Sequence, residues 1–170
     1  MIHLHSKLAV FVTVGALGIA ACAKAPPPAP PVLPPPQTIT APPEATVKAT
    51  MTIAVSADAN PDASGRPSPV YVRVYQLRGE SAFKGAEFFA VWDDERRVLG
   101  DALISRDEFF LKTGESRTID VAVAREAAFI GVIAELRDIR NSEWRALAPA
   151  PKGSLRVSIN RAGVALGAAQ

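Results

Sequence analysis

The sequence predicts an all-β domain, a β-sandwich with a small helical insertion, and three observations point to it. From residue 48 onward, short runs alternate apolar and polar side chains with a period of two, as strands with one face in a core do. Turns rich in glycine, proline and polar residues separate these runs. One stretch, 81–103, breaks the alternation and sets apolar residues near helical spacing.

Taken in order, Ala49 to Ala57 puts Met51, Ile53 and Val55 on one face and Thr50 and Thr52 on the other. Val70 to Leu77 points Val70, Val72 and Val74 inward against Tyr71, Arg73 and Tyr75. In the insertion, Phe83, Phe88, Ala90, Val91 and Trp92 precede a charged turn, which predicts one or two short helices covering apolar surface of the sandwich. Glu108 to Leu111, Arg117 to Val123, Phe129 to Leu136, Ser154 to Ile159 and Val164 to Leu166 continue the strand pattern. Phe129 to Leu136 is nearly all apolar and reads as a central strand, in which Gly131 marks a bulge or a close backbone approach. The turns at 112–115 and 160–163 each carry a glycine suited to positive φ.

At 170 residues the chain suffices for one domain with a real core. Net charge is +2, or +1 without Lys7, and no Lys/Arg block is longer than Arg96-Arg97. A nucleic-acid partner, which calls for a concentrated basic face, is not expected.

The N-terminus addresses the chain to a membrane. A polar start ending at Lys7 leads into the apolar run Leu8 to Ile19, which has signal-peptide length and is too short to span a bilayer. Ile19-Ala20-Ala21-Cys22 then resembles the bacterial lipobox. Small residues let an extended segment enter the signal peptidase, and the thiol can carry a thioether-linked diacylglycerol. Residues 1–21 are therefore expected to be removed before Cys22, the chain's one cysteine. The cysteine would bear diacylglycerol and N-acyl lipid; no other cofactor is expected. With no aspartate after Cys22, where Ala23 and Lys24 follow, the sorting rule of enteric bacteria implies the periplasmic face of the outer membrane. Residues 22–47 form a lipidated tether: ten of the fifteen prolines lie between Pro26 and Pro43. Such a segment favours polyproline II and could hold a domain at 48–170 roughly 70 Å from the lipid.

Several chemistries are missing. Both histidines, His3 and His5, lie in the removed segment, and Cys22 is acylated. Ser-His-Asp and Cys-His catalysis and histidine zinc sites are thereby excluded from the mature chain. Asp93, Asp94 and Glu95, and Asp107 and Glu108, are candidate carboxylates, but adjacent acids point apart and read better as solvated faces, so no enzyme is expected. Asp58, Asn60 and Asp62 imitate the start of a calcium loop. The imitation then fails, with Ala63 at the glycine position and Pro69 where a bidentate glutamate belongs, so no metal is expected.

Four ordered blocks stand out. The first is a loop ending in Gly65, Arg66, Pro67, Ser68 and Pro69, followed by a strand with Val70, Val72, Arg73, Tyr75, Gln76 and Leu77. The others are Ala86 to Asp94, Val98 to Leu111 and Ile130 to Arg145. Together they are similar to the type VI secretion lipoprotein family, known as TssJ or SciN, with Trp92 and Leu136 departing from its usual residues. The resemblance implies a transthyretin-like antiparallel β-sandwich. It also implies a non-catalytic lipoprotein that anchors a secretion complex to the outer membrane by binding the C-terminal periplasmic domain of the large IcmF-like inner-membrane protein, TssM. Docking is implied for the loop between the first two strands, Asp58 to Pro69. Its candidate contacts are Asn60, Asp62, Gly65, Arg66, Pro67, Ser68 and Pro69.

A second cluster, Arg137, Asp138, Arg140, Trp144 and Arg145, reads either as a further contact surface or as a salt-linked turn with Trp144 packed into the sandwich edge. The competing function is a periplasmic lipoprotein whose transthyretin-like module binds a small ligand or cell-wall glycan.

Overall fold

The alternating runs become strands in two packed sheets. The computed structural model describes residues 46–168; the expected signal segment, Cys22 and the prolines of the expected tether lie outside them, while Thr46 and Val47, expected at the end of that tether, already pair with β4 as the start of β1. Within that span the strands are β1 (Thr46–Val55), β2 (Val70–Leu77), β3 (Leu103–Leu111), β4 (Ser116–Ala124), β5 (Phe129–Glu135), β6 (Arg145–Pro149), β7 (Ser154–Ile159) and β8 (Val164–Ala168). One sheet has the order β4-β1-β7-β8, the other β3-β2-β5-β6. The pairings are antiparallel except β1 with β7, which run parallel from Thr50–Ser154 to Val55–Ile159. The chain reaches β7 by crossing from β6 in the other sheet. No hairpin dictates the direction of β7, so one parallel pair enters an otherwise antiparallel sandwich.

The expected faces hold for the first core. Met51, Ile53 and Val55 of β1 meet Val70, Val72 and Val74 of β2 between the sheets, with Ile130 and Val132 of β5 beside them. Gln76 also faces this gap. Its Nε2 donates to Ala122 O (3.0 Å), and its Oε1 accepts from Ala124 N (2.8 Å). A side-chain amide thus takes the place of a strand partner on the edge of β4, tying the two sheets together and satisfying groups that an edge leaves open.

Tyr75 differs from its expectation. It points outward with Tyr71 and Arg73 but is fully buried. The insertion covers it as three helices, α1 (Ser81–Gly85), α2 (Phe88–Asp93) and α3 (Glu95–Leu99), and a 3₁₀ turn at Gly100–Ala102. A second core forms beneath them from Tyr75, Leu77, Phe83, Val91, Leu99 and Ile133. The helical stretch divides where Ala86 turns extended and where Asp94 caps α3, its Oδ1 accepting from Arg97 N. Gly131 marks neither a bulge nor a close backbone approach. The β2–β5 register is continuous there, and a Cβ would stand 2.8 Å from Phe83 Cζ. The glycine makes room for a ring.

Ions fasten the insertion to the sheet. Arg73 Nε donates to Glu108 Oε2 (2.7 Å), and its Nη1 donates to Trp92 O (2.6 Å) and lies 3.2 Å from Glu95 Oε2. Its guanidinium sits 3.9 Å from the Trp92 ring centroid, and Arg106 Nη1 lies 3.2 Å from Glu95 Oε1. Glu95 and Glu108, expected on solvated faces, are therefore mostly buried between arginines; Asp93 and Asp94 are exposed as expected. Asp107 sits opposite Val74 on the inward face of β3. Its burial pushes the carboxyl up, against the pull of Arg106.

Two outcomes test this arrangement. Gly131→Ala should lower stability by about 1–3 kcal/mol through overpacking against Phe83, measured by denaturant midpoint, and Phe83→Leu should recover part of the loss. The Tyr75 hydroxyl is buried close to the Arg73 guanidinium. Burial pushes it up to about 12, with the Arg73 charge pulling back. The unfolded chain's tyrosine ionises near 10. The fold therefore gains from the neutral phenol in full below pH 10 and loses that gain as pH rises from about 10 to about 12. Tyr75→Phe should flatten the fall in stability across this window by on the order of 2 kcal/mol.

Candidate functional site

The β1–β2 loop, Ser56 to Pro69, is built from its own side chains. Asn60 adopts φ +50° and is buried, a backbone region that asparagine tolerates better than most residues. Its Nδ2 donates to Pro69 O (2.8 Å), and its Oδ1 accepts from Arg137 N (2.8 Å). One carboxamide thus closes the loop on itself and pins it to the end of β5. Asp62 organises the tip. Its Oδ1 accepts from Ser64 N (2.8 Å) and Arg66 N (3.0 Å), and its Oδ2 from Arg66 Nε (2.8 Å). Gly65, at φ +78°, completes the turn by donating its N–H to Asp62 O (2.9 Å). The Arg66 backbone N–H is foremost in holding the Asp62 carboxyl below its ordinary range against an opposing desolvation, with the Arg66 side chain and the Ser64 N–H assisting.

The candidate contacts divide by exposure. Gly65, Arg66, Pro67 and Pro69 are exposed, and the Arg66 side chain is 79% accessible despite its pairing with Asp62. Asn60 and Ser68 are buried. Ser68 Oγ accepts from Arg137 Nε (3.0 Å), so these two residues shape the surface rather than present it. The three calcium-like residues turn to different partners: Asp58 Oδ1 accepts from Ser56 Oγ (2.6 Å), Asn60 bridges Pro69 and Arg137, and Asp62 holds Arg66.

The second cluster separates into two groups, and neither is salt-linked among the described residues. Arg137 supports the loop, while both Asp138 carboxylate oxygens accept from Asn141 Nδ2 (2.9 and 3.1 Å). Trp144 and Arg145 instead clamp the insertion. Arg145 Nη1 donates to Phe83 O (3.1 Å) and Ala86 O (2.6 Å) and stacks on Trp144, whose ring meets Phe88 edge-on at 5.3 Å. Arg145 also opens β6, a strand absent from the sequence pattern because its five residues are intermediate or exposed without alternating.

Three loops meet at this end. The turn after β5 and the β7–β8 hairpin are joined backbone to backbone, with Glu143 N donating to Ala162 O (3.0 Å) and Val164 N to Glu143 O (2.7 Å). A Cβ on Gly163, at φ +141°, would overlap the Glu143 backbone. Between these loops and Asn60-Pro61 lies a cleft of about 200 Å³. Leu136, Asp138, Asn141 and Ser142 line it from one side and Arg161 from the hairpin. Asn141, Ser142 and Arg161 carry no sequence signal beyond membership of turns; only the Glu143–Gly163 contact brings them to the loop.

No curated protein matches the chain in sequence. TssJ1, a type VI secretion lipoprotein from Pseudomonas aeruginosa, is similar at 26% identity and a TM-score of 0.70, over 74% of this chain and 98% of its own. Lip from Serratia marcescens, a membrane-bound component of the type VI secretion system, is similar at 25% identity and 0.67, over 74% and 99%. A chain in a structure described as the TssM C-terminal domain (869–1107) from EAEC shares the fold at 23% identity and 0.61, over 72% and 98%. Residues 47–167 match the family model described as type VI secretion lipoprotein, with VasD, EvfM and TssJ as members. The chain belongs to the type VI secretion lipoprotein family, and its fold is that family's transthyretin-like β-sandwich.

Proposed function

We propose that this chain is a non-catalytic anchor. Lipid on Cys22 holds it in the outer membrane, and the loop end of the sandwich docks on the C-terminal periplasmic domain of a TssM-type inner-membrane protein. The observation that carries this reading is the polarity of β1. The chain enters at Thr46 and runs ten residues to Val55 before it reaches the docking loop, about 30 Å of extended strand. The point of attachment to the tether and the three loops therefore lie at opposite ends, as a link between two bodies requires. The loop is also held in shape by Asn60 and Asp62, so little conformational entropy is lost on docking. The fold it shares with a chain from a TssM C-terminal-domain structure agrees with this partner.

Two experiments test the two halves. Cys22→Ser should leave the protein unprocessed or move it out of the membrane fraction; a fully mature variant retained in the membrane sinks the lipid anchor. Arg66→Glu changes an exposed tip residue and should leave the melting temperature within a few degrees while weakening binding to the TssM-type domain by about 1–3 kcal/mol. Titration calorimetry measures this. No binding by the unaltered protein would favour the small-ligand or glycan reading instead.

A further inference from the structure

The docking surface is not the β1–β2 loop alone. We infer that the cleft between the three loops receives an acidic segment of the docking partner, with a carboxylate set against Arg161. This rests on the proposed function and adds the chemistry of the partner.

The cleft is prearranged. Asn60 fixes one wall, the Glu143–Gly163 contact fixes the hairpin to the β5–β6 turn, and Asn160 Oδ1 accepts from Ala162 N (2.8 Å) to hold the hairpin itself. Rigid walls of this kind lose little freedom on binding.

Its charges are unevenly satisfied. Among the acids around it, Asp58 is held by Ser56, Asp62 by Arg66 and Asp138 by Asn141; the exposed Glu143 carboxylate is the exception and does not line the cleft. The cations are different. Among the described residues Arg137, Arg140 and Arg161 are exposed and in no ion pair. Arg161 lines the cleft directly, whereas the Arg137 side chain donates to Ser68 Oγ and adds its charge to the pull on Asp62. A guanidinium in no ion pair on the wall of a polar cleft, that of Arg161, matches a carboxylate, which takes two parallel N–H donors from one arginine. A basic segment would instead meet Arg161 on the cleft wall, and at Asp62 it would have to displace Arg66.

The test uses the full chain in detergent and the TssM C-terminal domain, titrated at low and high salt. Arg161→Glu and Arg161→Ala alter an exposed side chain, and a melting curve checks that the fold is kept. Arg161→Glu should weaken binding about tenfold or more, Arg161→Ala less, and both should flatten the salt dependence. Ser142→Trp, which fills the cleft without changing charge, should also weaken binding. Unaltered affinity in both Arg161→Glu and Ser142→Trp, while Arg66→Glu still weakens binding, overturns the cleft and leaves the loop docking intact. Equal losses in Arg161→Glu and Arg161→Ala with unchanged salt dependence overturn the acidic partner. Absence of binding by the unaltered chain removes the docking reading and this one with it.

Discussion

The end of the sandwich that faces the proposed partner depends on one side chain, the Asn60 carboxamide. It accepts from the Arg137 backbone N–H and donates to Pro69 O, at a backbone angle that few residues tolerate. A buried amide satisfied on both sides is worth more than either bond alone, because losing one partner strands the other in a site closed to water. Through it the β1–β2 loop is held against β5, and the cleft acquires a fixed wall. Aspartate would keep the acceptor and lose the donor; serine would be too short to reach both groups. The exposed tip then follows locally, since Asp62 and Gly65 close a turn that needs nothing from the rest of the molecule.

A second constraint acts at the opposite face. The outer surface of β2 and β5 is too apolar to face water around Tyr75 and Ile133, and the insertion exists in part to cover it. Three helices of five or six residues have little stability alone, so their position comes from contacts with the sheet. Phe83 fits over Gly131, Arg145 bonds the carbonyls of Phe83 in α1 and of Ala86 just after it, and Arg73 reaches Trp92 O and Glu95. Ion pairs this deeply placed contribute little net stability against well-packed apolar residues. Removing one partner is nevertheless costly, and the directional bonds admit one placement of the helices.

The division of labour along β1 gives the molecule its mechanical sense. Tension between a lipid at the start of the chain and a partner at the loop end would pass along a strand paired on both sides, with β4 and with β7. Pulling such a strand lengthwise loads many backbone hydrogen bonds together, whereas peeling an edge strand loads them one after another. A single cysteine cannot form a disulfide within the chain, so packing and hydrogen bonding would carry such a load.

Much of this was legible in the chain itself. The period of two fixed which residues of β1, β2 and β7 enter the core, because a strand's faces are set by its own geometry. The lipobox and the prolines imply a lipidated tether from local chemistry alone, in residues outside the described ones. The loop's Gly65 and prolines have local backbone preferences that suit a shaped turn. What the sequence could not decide was pairing at a distance. Tyr75 and Glu95 looked exposed because their cover lies elsewhere in the chain; β6 was hidden because its residues are only half-buried; the cluster at 137–145 divided because its two ends face different neighbours. The cleft beside Arg161 is the clearest case. Its walls come from three loops far apart in sequence, and only the packing of two sheets brings them together.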